Sequence, residues 1–277
     1  MKSAGEESYH LVGGETMFFR LRSLGTARPT LLFVHGLGDS GLVFEDVFRF
    51  DQFSDFNVVI PDLIGYGRSS AAADDKGYGF DAHQVRLWNL IEHLEPGQVY
   101  LVAHSMGADI ATLMCQSDRQ GIIRKLVCVE SDITQHEMFL SRKASEADQR
   151  GKYAVWFDGI RGEIGYRLLR GDRSGRLYYS SLQFCRPEAF RQDSIDLVKR
   201  ASALPGAYRS EIGQAYCRLR IPRVFCYGTK SLSRESLEFL SRHQLGARAF
   251  QGAKHSPMTD QPEEFYPFLY DFITSPE

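Results

Sequence analysis

The stretch Val99-Tyr100-Leu101-Val102-Ala103-His104-Ser105-Met106-Gly107-Ala108-Asp109-Ile110-Ala111 passes from a short apolar run into a segment rich in Ala and Met. Apolar runs of this length bounded by turn signals read as buried strands, and the segment that follows reads as a helix. Between the two stands Ser105, with the small residues Ala103 two positions before it and Gly107 two positions after. A sharp strand-to-helix turn needs small residues there, because bulkier Cβ groups would collide. Such a turn lifts the serine hydroxyl above the carboxyl edge of a sheet.

The same rhythm extends in both directions. Tyr9 to Val12 and Thr16 to Leu21, separated by Gly13-Gly14, read as an antiparallel start that feeds a buried strand at Thr30 to Val34. A helix after Gly41, carrying Val43, Val47 and Phe50, precedes a strand at Asn57 to Ile60. Asp81 is read as the N-cap of a helix running to Leu94, and Pro96-Gly97 stop it. Strands at Val99 to Ala103 and Arg124 to Val129 flank a helix from Met106 to Cys115. Short apolar strands alternating with helices predict a mostly parallel, eight-stranded sheet with helices on both faces, an α/β architecture.

From Ile133 to about Ile221 the alternation gives way to charged, aromatic, helical stretches without a convincing buried strand, read as an inserted helical cap. It then resumes with strands at Arg223 to Tyr227 and Ala247 to Phe250 and helices at Arg234 to His243 and Pro262 to Thr274. The domain reading is therefore a core formed by 1–132 and 222–277, interrupted by a cap at 133–221.

Composition narrows the function. Among 277 residues, 43% are hydrophobic and 25% charged, the balance of a globular chain with a large core. The 33 Lys and Arg nearly cancel the 35 Asp and Glu, so no overall field points to nucleic acid. Met1 to Tyr9 lacks the apolar region of a secretory signal and no run approaches a membrane span, which makes a cytoplasmic protein without membrane insertion the expectation. Cys115, Cys128, Cys185, Cys217 and Cys226 form no Cys-x-x-Cys pair, and the eight histidines lack i, i+4 spacing; free thiols and no metal are expected.

Four segments together carry a family resemblance. Ala103-His104-Ser105-Met106-Gly107 resembles the nucleophile elbow of the α/β-hydrolase superfamily, with Ala where Gly is usual. His35-Gly36-Leu37-Gly38 resembles its oxyanion loop, Asp62 to Ser69 a recurrent segment after the fourth strand, and Gly252-Ala253-Lys254-His255-Ser256-Pro257 its histidine loop. The resemblance implies an α/β-hydrolase fold, Ser105 as nucleophile, His255 as its base, and an oxyanion hole of the Leu37 and Met106 N–H groups. A serine hydroxyl needs an imidazole to take its proton, and His255 is the one histidine in a loop expected to return to the carboxyl edge. His104 is read as a packing or hydrogen-bonding residue directed away from the serine, His35 as a loop organiser and Asp62 as a turn organiser.

The chain departs from the family where the triad needs an acid: Tyr227-Gly228-Thr229-Lys230-Ser231 offers no carboxylate. Glu130, ending the strand next to that of Ser105, projects from the same edge, and some relatives, among them certain lactone hydrolases and the haloalkane dehalogenases, carry their acid there. Glu130 is the preferred acid; Asp132, Glu235 or no acid at all are the alternatives.

A serine nucleophile excludes the aspartate chemistry of dehalogenases and epoxide hydrolases and leaves carbonyl substrates. The expected partner is a small molecule with a carbonyl centre, no cofactor is expected, and the oligomeric state is left open. A carboxylic ester or lactone leads, with thioester or C–C bond hydrolysis as enzyme alternatives and a non-catalytic ligand receptor as the rival of another class. The cap segment holds 16 Lys and Arg against 10 Asp and Glu, interleaved with Tyr153, Trp156, Phe157, Tyr166, Tyr178, Tyr179 and Phe184. Trp156, Tyr178 and Tyr179 are candidate substrate contacts. The arginines read either as a cationic pocket rim favouring acidic acyl groups or as a solvated outer face.

Overall fold

The structure, a computed structural model, describes residues 5–74, 77–164, 171–204 and 210–276; Tyr166, among the aromatic residues noted above, lies outside them. Eight strands form one sheet in the order β1-β2-β4-β3-β5-β6-β7-β8. They are β1 (Glu6–Val12), β2 (Glu15–Arg22), β3 (Thr30–Val34), β4 (Asn57–Pro61), β5 (Val99–His104), β6 (Ile123–Val129), β7 (Arg223–Gly228) and β8 (Ala247–Phe250). β2 pairs antiparallel with β1 and β4, and every other pairing is parallel.

Strand alternation divides the core between two faces. Leu32 and Val34 of β3, with Leu101 and Ala103 of β5, join Leu87, Leu90 and Ile91 of α1 (Phe80–Leu94) and Ile110 and Met114 of α2 (Met106–Ser117). Leu31, Phe33 and Val102 point the other way, onto Val43, Phe44 and Val47 of the 3-10 helix Gly41–Arg49 and onto Phe265 and Leu269 near the C-terminus. Each such large apolar side chain contributes about 1.5–3 kcal/mol by leaving water.

Two local expectations are corrected. The segment after Gly41 winds as a 3-10 helix, held at its end by Phe50 N–H donating to Val47 C=O. Helix α1 begins at Phe80, not after Asp81: Gly79 precedes it at φ +97, and the Phe80 N–H is capped from another element, by Asp196 Oδ2 at 3.0 Å. The Asp81 carboxylate instead pairs with Arg200 at 2.9 Å. A tertiary carboxylate displaced the local cap, a choice that sequence periodicity does not encode.

Between β6 and β7 the described residues form helices and no strand: α3 (Phe139–Gln149), α4 (Tyr153–Gly159), α5 (Arg173–Gln183), α6 (Pro187–Ala201) and α7 (Glu211–Arg218). Three of their arginines reach carboxylates of other elements. Arg173 pairs with Asp46, Arg191 with Asp148, and Arg200 with Asp81, Asp196 and Glu211. Asp193 of α6 fastens this segment to the sheet side, fully buried, accepting from Tyr66 Oη at 2.5 Å, Gly79 N–H at 2.8 Å and His83 Nε2 at 3.0 Å.

Replacing Asp193 with Ala leaves those donors buried without a partner, each costing about 1–3 kcal/mol. Urea denaturation of Asp193→Ala should show a loss of about 3 kcal/mol or more. A loss under about 1 kcal/mol would show that the network holds little.

Candidate active site

Parallel register sets two strand ends side by side. His104 lies opposite Val129, and Val129 opposite Cys226. The next residues continue the ladder, with Ser105 N–H donating to Val129 C=O at 2.7 Å and Glu130 N–H to Cys226 C=O at 3.0 Å. Ser105 and Glu130 therefore leave adjacent strands at the same level of the carboxyl edge. Both are held at positive φ, +51° and +52°. Among the described residues the two other non-glycine residues of this kind, Glu95 and Gln244, terminate helices, where the left-handed conformation is routine. Backbone strain of about 1–3 kcal/mol at Ser105 and Glu130 persists only because the surroundings enforce it.

The turn at Ser105 is tight. A Cβ on Gly107 would stand 2.4 Å from the His35 and Val34 carbonyl oxygens, and one on Gly36 would stand 3.0 Å from the Ser105 Cβ. Only glycine lets the two loops meet. Helix α2 starts at Met106 on the far side of the turn, and the first N–H groups of a helix have no partner within it. His35 fixes the opposing loop: its Nδ1 donates to Gly36 C=O at 2.9 Å and its Nε2 accepts the Leu63 N–H at 2.9 Å. Complete burial pushes this imidazole down to about 4, consistent with one donating and one accepting nitrogen. Asp62 organises the following turn by accepting from Gly41 N–H at 2.8 Å, Arg20 at 2.9 Å and Arg68 N–H at 2.9 Å.

His255 arrives over the end of β7. Gly228 permits it, since a Cβ there would lie 2.1 Å from the Lys254 carbonyl oxygen. Its Nδ1 stands 3.3 Å from Glu130 Oε2. The other oxygen of Glu130, a side chain only 1% exposed, accepts Gly228 N–H at 2.7 Å and the Ser231 hydroxyl at 2.6 Å. Both oxygens are thus committed, and one is aimed at the imidazole. Burial by surrounding protein would push His255 down, but the hydrogen bond to Glu130 and the charges of Glu130, Glu137 and Asp39 outweigh it and hold the imidazole above its ordinary value. The ring nevertheless opens onto solvent through a cavity, with 52% of its side chain exposed.

That cavity, about 400 Å³, is lined by Leu37, Ser105, Asp132, Tyr178 and His255 among others. Met106 is fully buried beneath it. Of the three aromatic residues singled out for substrate contact, Tyr178 lines the cavity. Trp156 instead packs against Phe190 and Tyr153, and Tyr179 is half-buried away from the lining. Aromatic residues on helices packed over a core go mainly to that packing.

Asp132 also lines the cavity, but its carboxyl meets that of the buried Asp109, a contact that needs a shared proton. Burial pushes both upward, Asp109 to about 7, and Asp109 in turn accepts the Ser131 hydroxyl at 2.6 Å and the Asp132 N–H at 3.0 Å. Glu235 lies in the first turn of α8 (Arg234–Arg242), outside the cavity lining.

Four further residues belong to this neighbourhood. His104 lines the cavity and its Nε2 donates to His255 C=O at 2.8 Å, with ring centroids 4.8 Å apart. Burial and the charge of His255 hold it well below its ordinary value, so it stays neutral. Asp39 is buried at the cavity wall, and burial raises it to about 7. Glu137 accepts from Ser233 N–H and from the Ser233 and Ser236 hydroxyls. Ser231 stands in the segment after β7 where the family's usual acid is missing. It is the one readable signal among the four, a hydroxyl placed to serve a carboxylate that comes from elsewhere.

A family model described as the alpha/beta hydrolase fold matches residues 29–189. An uncharacterized protein of Mycobacterium tuberculosis is 27% identical over 97% of this chain and 81% of its own length. Among solved structures, an epoxide hydrolase mutant of Vigna radiata superposes with a TM-score of 0.74 at 18% identity, covering 98% of both chains. The enol-lactonase from Burkholderia xenovorans LB400 superposes with a TM-score of 0.73 at 15% identity, covering 97% of this chain and all of that one.

Strain at Ser105 has a measurable signature. Ser105→Gly should be more stable than Ser105→Ala by about 1 kcal/mol, since glycine alone adopts this φ freely and the usual cost of glycine is smaller. Equal stabilities, or a more stable alanine variant, would show that the turn stores no strain.

Proposed function

Because the chain belongs to the α/β-hydrolase fold family, we propose that it is a serine hydrolase of small carboxylic esters or lactones, acting through an acyl-enzyme on Ser105. The observation that carries this reading is the Glu130 to His255 contact of 3.3 Å, in a cavity that His255 shares with Ser105. With Nδ1–H donating to Glu130, the bare nitrogen of the neutral imidazole is Nε2, the one a serine hydroxyl can use.

In the proposed reaction, Ser105 Oγ attacks the carbonyl carbon while its proton passes to His255 Nε2. The carbonyl π pair moves onto oxygen, where the N–H groups of Leu37 and Met106 receive the charge, each worth about 3 kcal/mol. Collapse breaks the bond to the leaving oxygen, which takes the proton from His255. A water molecule then gives its proton to the same nitrogen and its oxygen to the acyl carbon, and Ser105 Oγ departs with the proton. In a lactone, acid and alcohol remain one molecule. Glu130 holds the tautomer and offsets the imidazolium charge.

The segment 133–221 acts in this reading as a cap roofing the pocket, with Tyr178 as its contact to substrate. Leu37, Met138, Leu140 and Leu197 give the roughly 400 Å³ cavity apolar walls suited to a small acyl group. The receptor alternative drew on the missing carboxylate after β7, and a carboxylate in reach of His255 speaks against it.

Two measurements test the proposal. A fluorophosphonate should label the folded protein at Ser105, located by peptide mass, and fail to label Ser105→Ala; absence of label on wild type would overturn the hydrolase reading. The base must be neutral, and its pKa is raised, so kcat/KM should rise with pH through an inflection above 6.5, the ordinary imidazole value. An inflection at or below that value would contradict the influence of Glu130.

A further inference from the structure

We propose that the cavity at Ser105 selects acyl substrates that are neutral or positively charged and rejects those bearing a carboxylate. The inference rests on the hydrolase reading and names the substrate class of the same site.

The charges around the cavity do not cancel. Lys254 is paired with Asp172, and His255 faces Glu130. Glu137 also lines the cavity, but its donors are the Ser233 N–H at 3.2 Å, the Ser233 hydroxyl and the Ser236 hydroxyl at 2.5 Å, all neutral. Asp39 accepts from the Ser40 N–H at 2.9 Å and from the Ser181 hydroxyl, again neutral groups. Among the described residues no Lys or Arg forms an ion pair with either carboxylate, and no arginine lines the cavity. Arg173, Arg191 and Arg200 of the cap segment are held in ion pairs outside the cavity, and with no described arginine in its lining these observations favour the outer-face reading of the basic residues over a cationic rim.

A second observation points to a ligand. The Tyr178 hydroxyl is buried, belongs to the cavity wall and has no hydrogen-bond partner. It lies 2.7 Å from the position a Cβ on Gly38 would take, over the loop that carries Leu37 and Asp39. The buried Nδ1 of His104, also without a partner, lies 3.2 Å from the corresponding position on Gly36. Buried polar groups in native proteins are almost always satisfied, so a partner that arrives with the substrate is the economical explanation. A phenol beside a carboxylate can donate to an uncharged polar acyl group or accept from a cationic one. An incoming carboxylate would meet Glu137 and Asp39 in a partly desolvated space, where repulsion is stronger than in water.

Three esters of nearly equal length isolate the charge: ethyl hexanoate, ethyl 6-aminohexanoate and monoethyl adipate. At about pH 7.5 the amine is an ammonium and the free acid a carboxylate. The neutral and ammonium esters should show kcat/KM about tenfold or more above the adipate ester at low salt. The gap should shrink in about 1 M NaCl, where charges are screened within about 3 Å. It should also shrink in Glu137→Gln, but persist in Glu264→Gln, which removes an exposed charge outside the cavity. An adipate ester hydrolysed as fast as the others, or a gap untouched by Glu137→Gln, overturns the proposal. If Glu137→Gln fails to fold, the salt dependence of the wild type decides: a gap that closes with salt supports charge selection, and one that salt leaves unchanged overturns it.

Binding of the three esters to Ser105→Ala, followed by calorimetry, separates this inference from the one beneath it. A charge order in binding without turnover in wild type counts against the hydrolase reading alone. Turnover with a flat or reversed order counts against charge selection alone.

Discussion

Glu130 reaches His255 only because three backbone conditions hold together. The β5 and β6 registers bring Ser105 and Glu130 to one level of the sheet edge. Gly228, with no Cβ, lets the loop of Lys254 and His255 cross the end of β7. Glu130 itself accepts a positive φ, an arrangement that places one oxygen toward the imidazole while the other is held by Gly228 N–H and Ser231. A carboxylate fixed by two donors and buried to 1% exposure has little freedom to turn away. The proposed chemistry depends on that fixity more than on the bond's length, which at 3.3 Å is open for a resting hydrogen bond and of the kind that tightens once the imidazole carries charge.

The helical segment between β6 and β7 bears on the site through charge as well as shape. Arg173, Arg191 and Arg200 bind carboxylates of the sheet side and of one another's helices, so they fasten the segment instead of lining the cavity. Glu137 and Asp39, at the cavity wall, are left with neutral donors. Net composition therefore does not carry over to the cavity lining, which holds Glu137 and Asp39 and, among the described residues, no arginine. Only the paired geometry reveals it.

Much of the fold was legible because its strands are short, apolar and bounded by glycine or proline, so all eight could be placed from the pattern. The order of motifs then located Ser105, the oxyanion loop and His255 on one edge. Glu130 was reachable by the same logic, since a residue following a strand adjacent to that of Ser105 must emerge beside it. What escaped was tertiary. Asp196 caps α1 from a distant helix and frees Asp81 for Arg200. Trp156 and Tyr179, candidates by residue type alone, are occupied by packing or lie off the cavity wall. His104, read as a packing or hydrogen-bonding residue directed away from the serine, does form a hydrogen bond, but its partner, the His255 carbonyl, comes from a distant loop and carried no sequence signal. Glu137 and Asp39 carried no sequence signal, as an acidic residue in a loop is most often solvated.

The central claim is that the acid orienting His255 comes from the end of β6. Steady-state kinetics of Glu130→Gln beside Asp132→Asn, on the best ester found and with folding checked by circular dichroism, addresses it directly. The account predicts that Glu130→Gln lowers kcat by about 10³–10⁴, as when the wrong tautomer is held beside a serine, while Asp132→Asn stays within about tenfold of wild type. A Glu130→Gln enzyme of nearly full activity, with Asp132→Asn inactive, would contradict it and move the acid to the buried carboxyl pair.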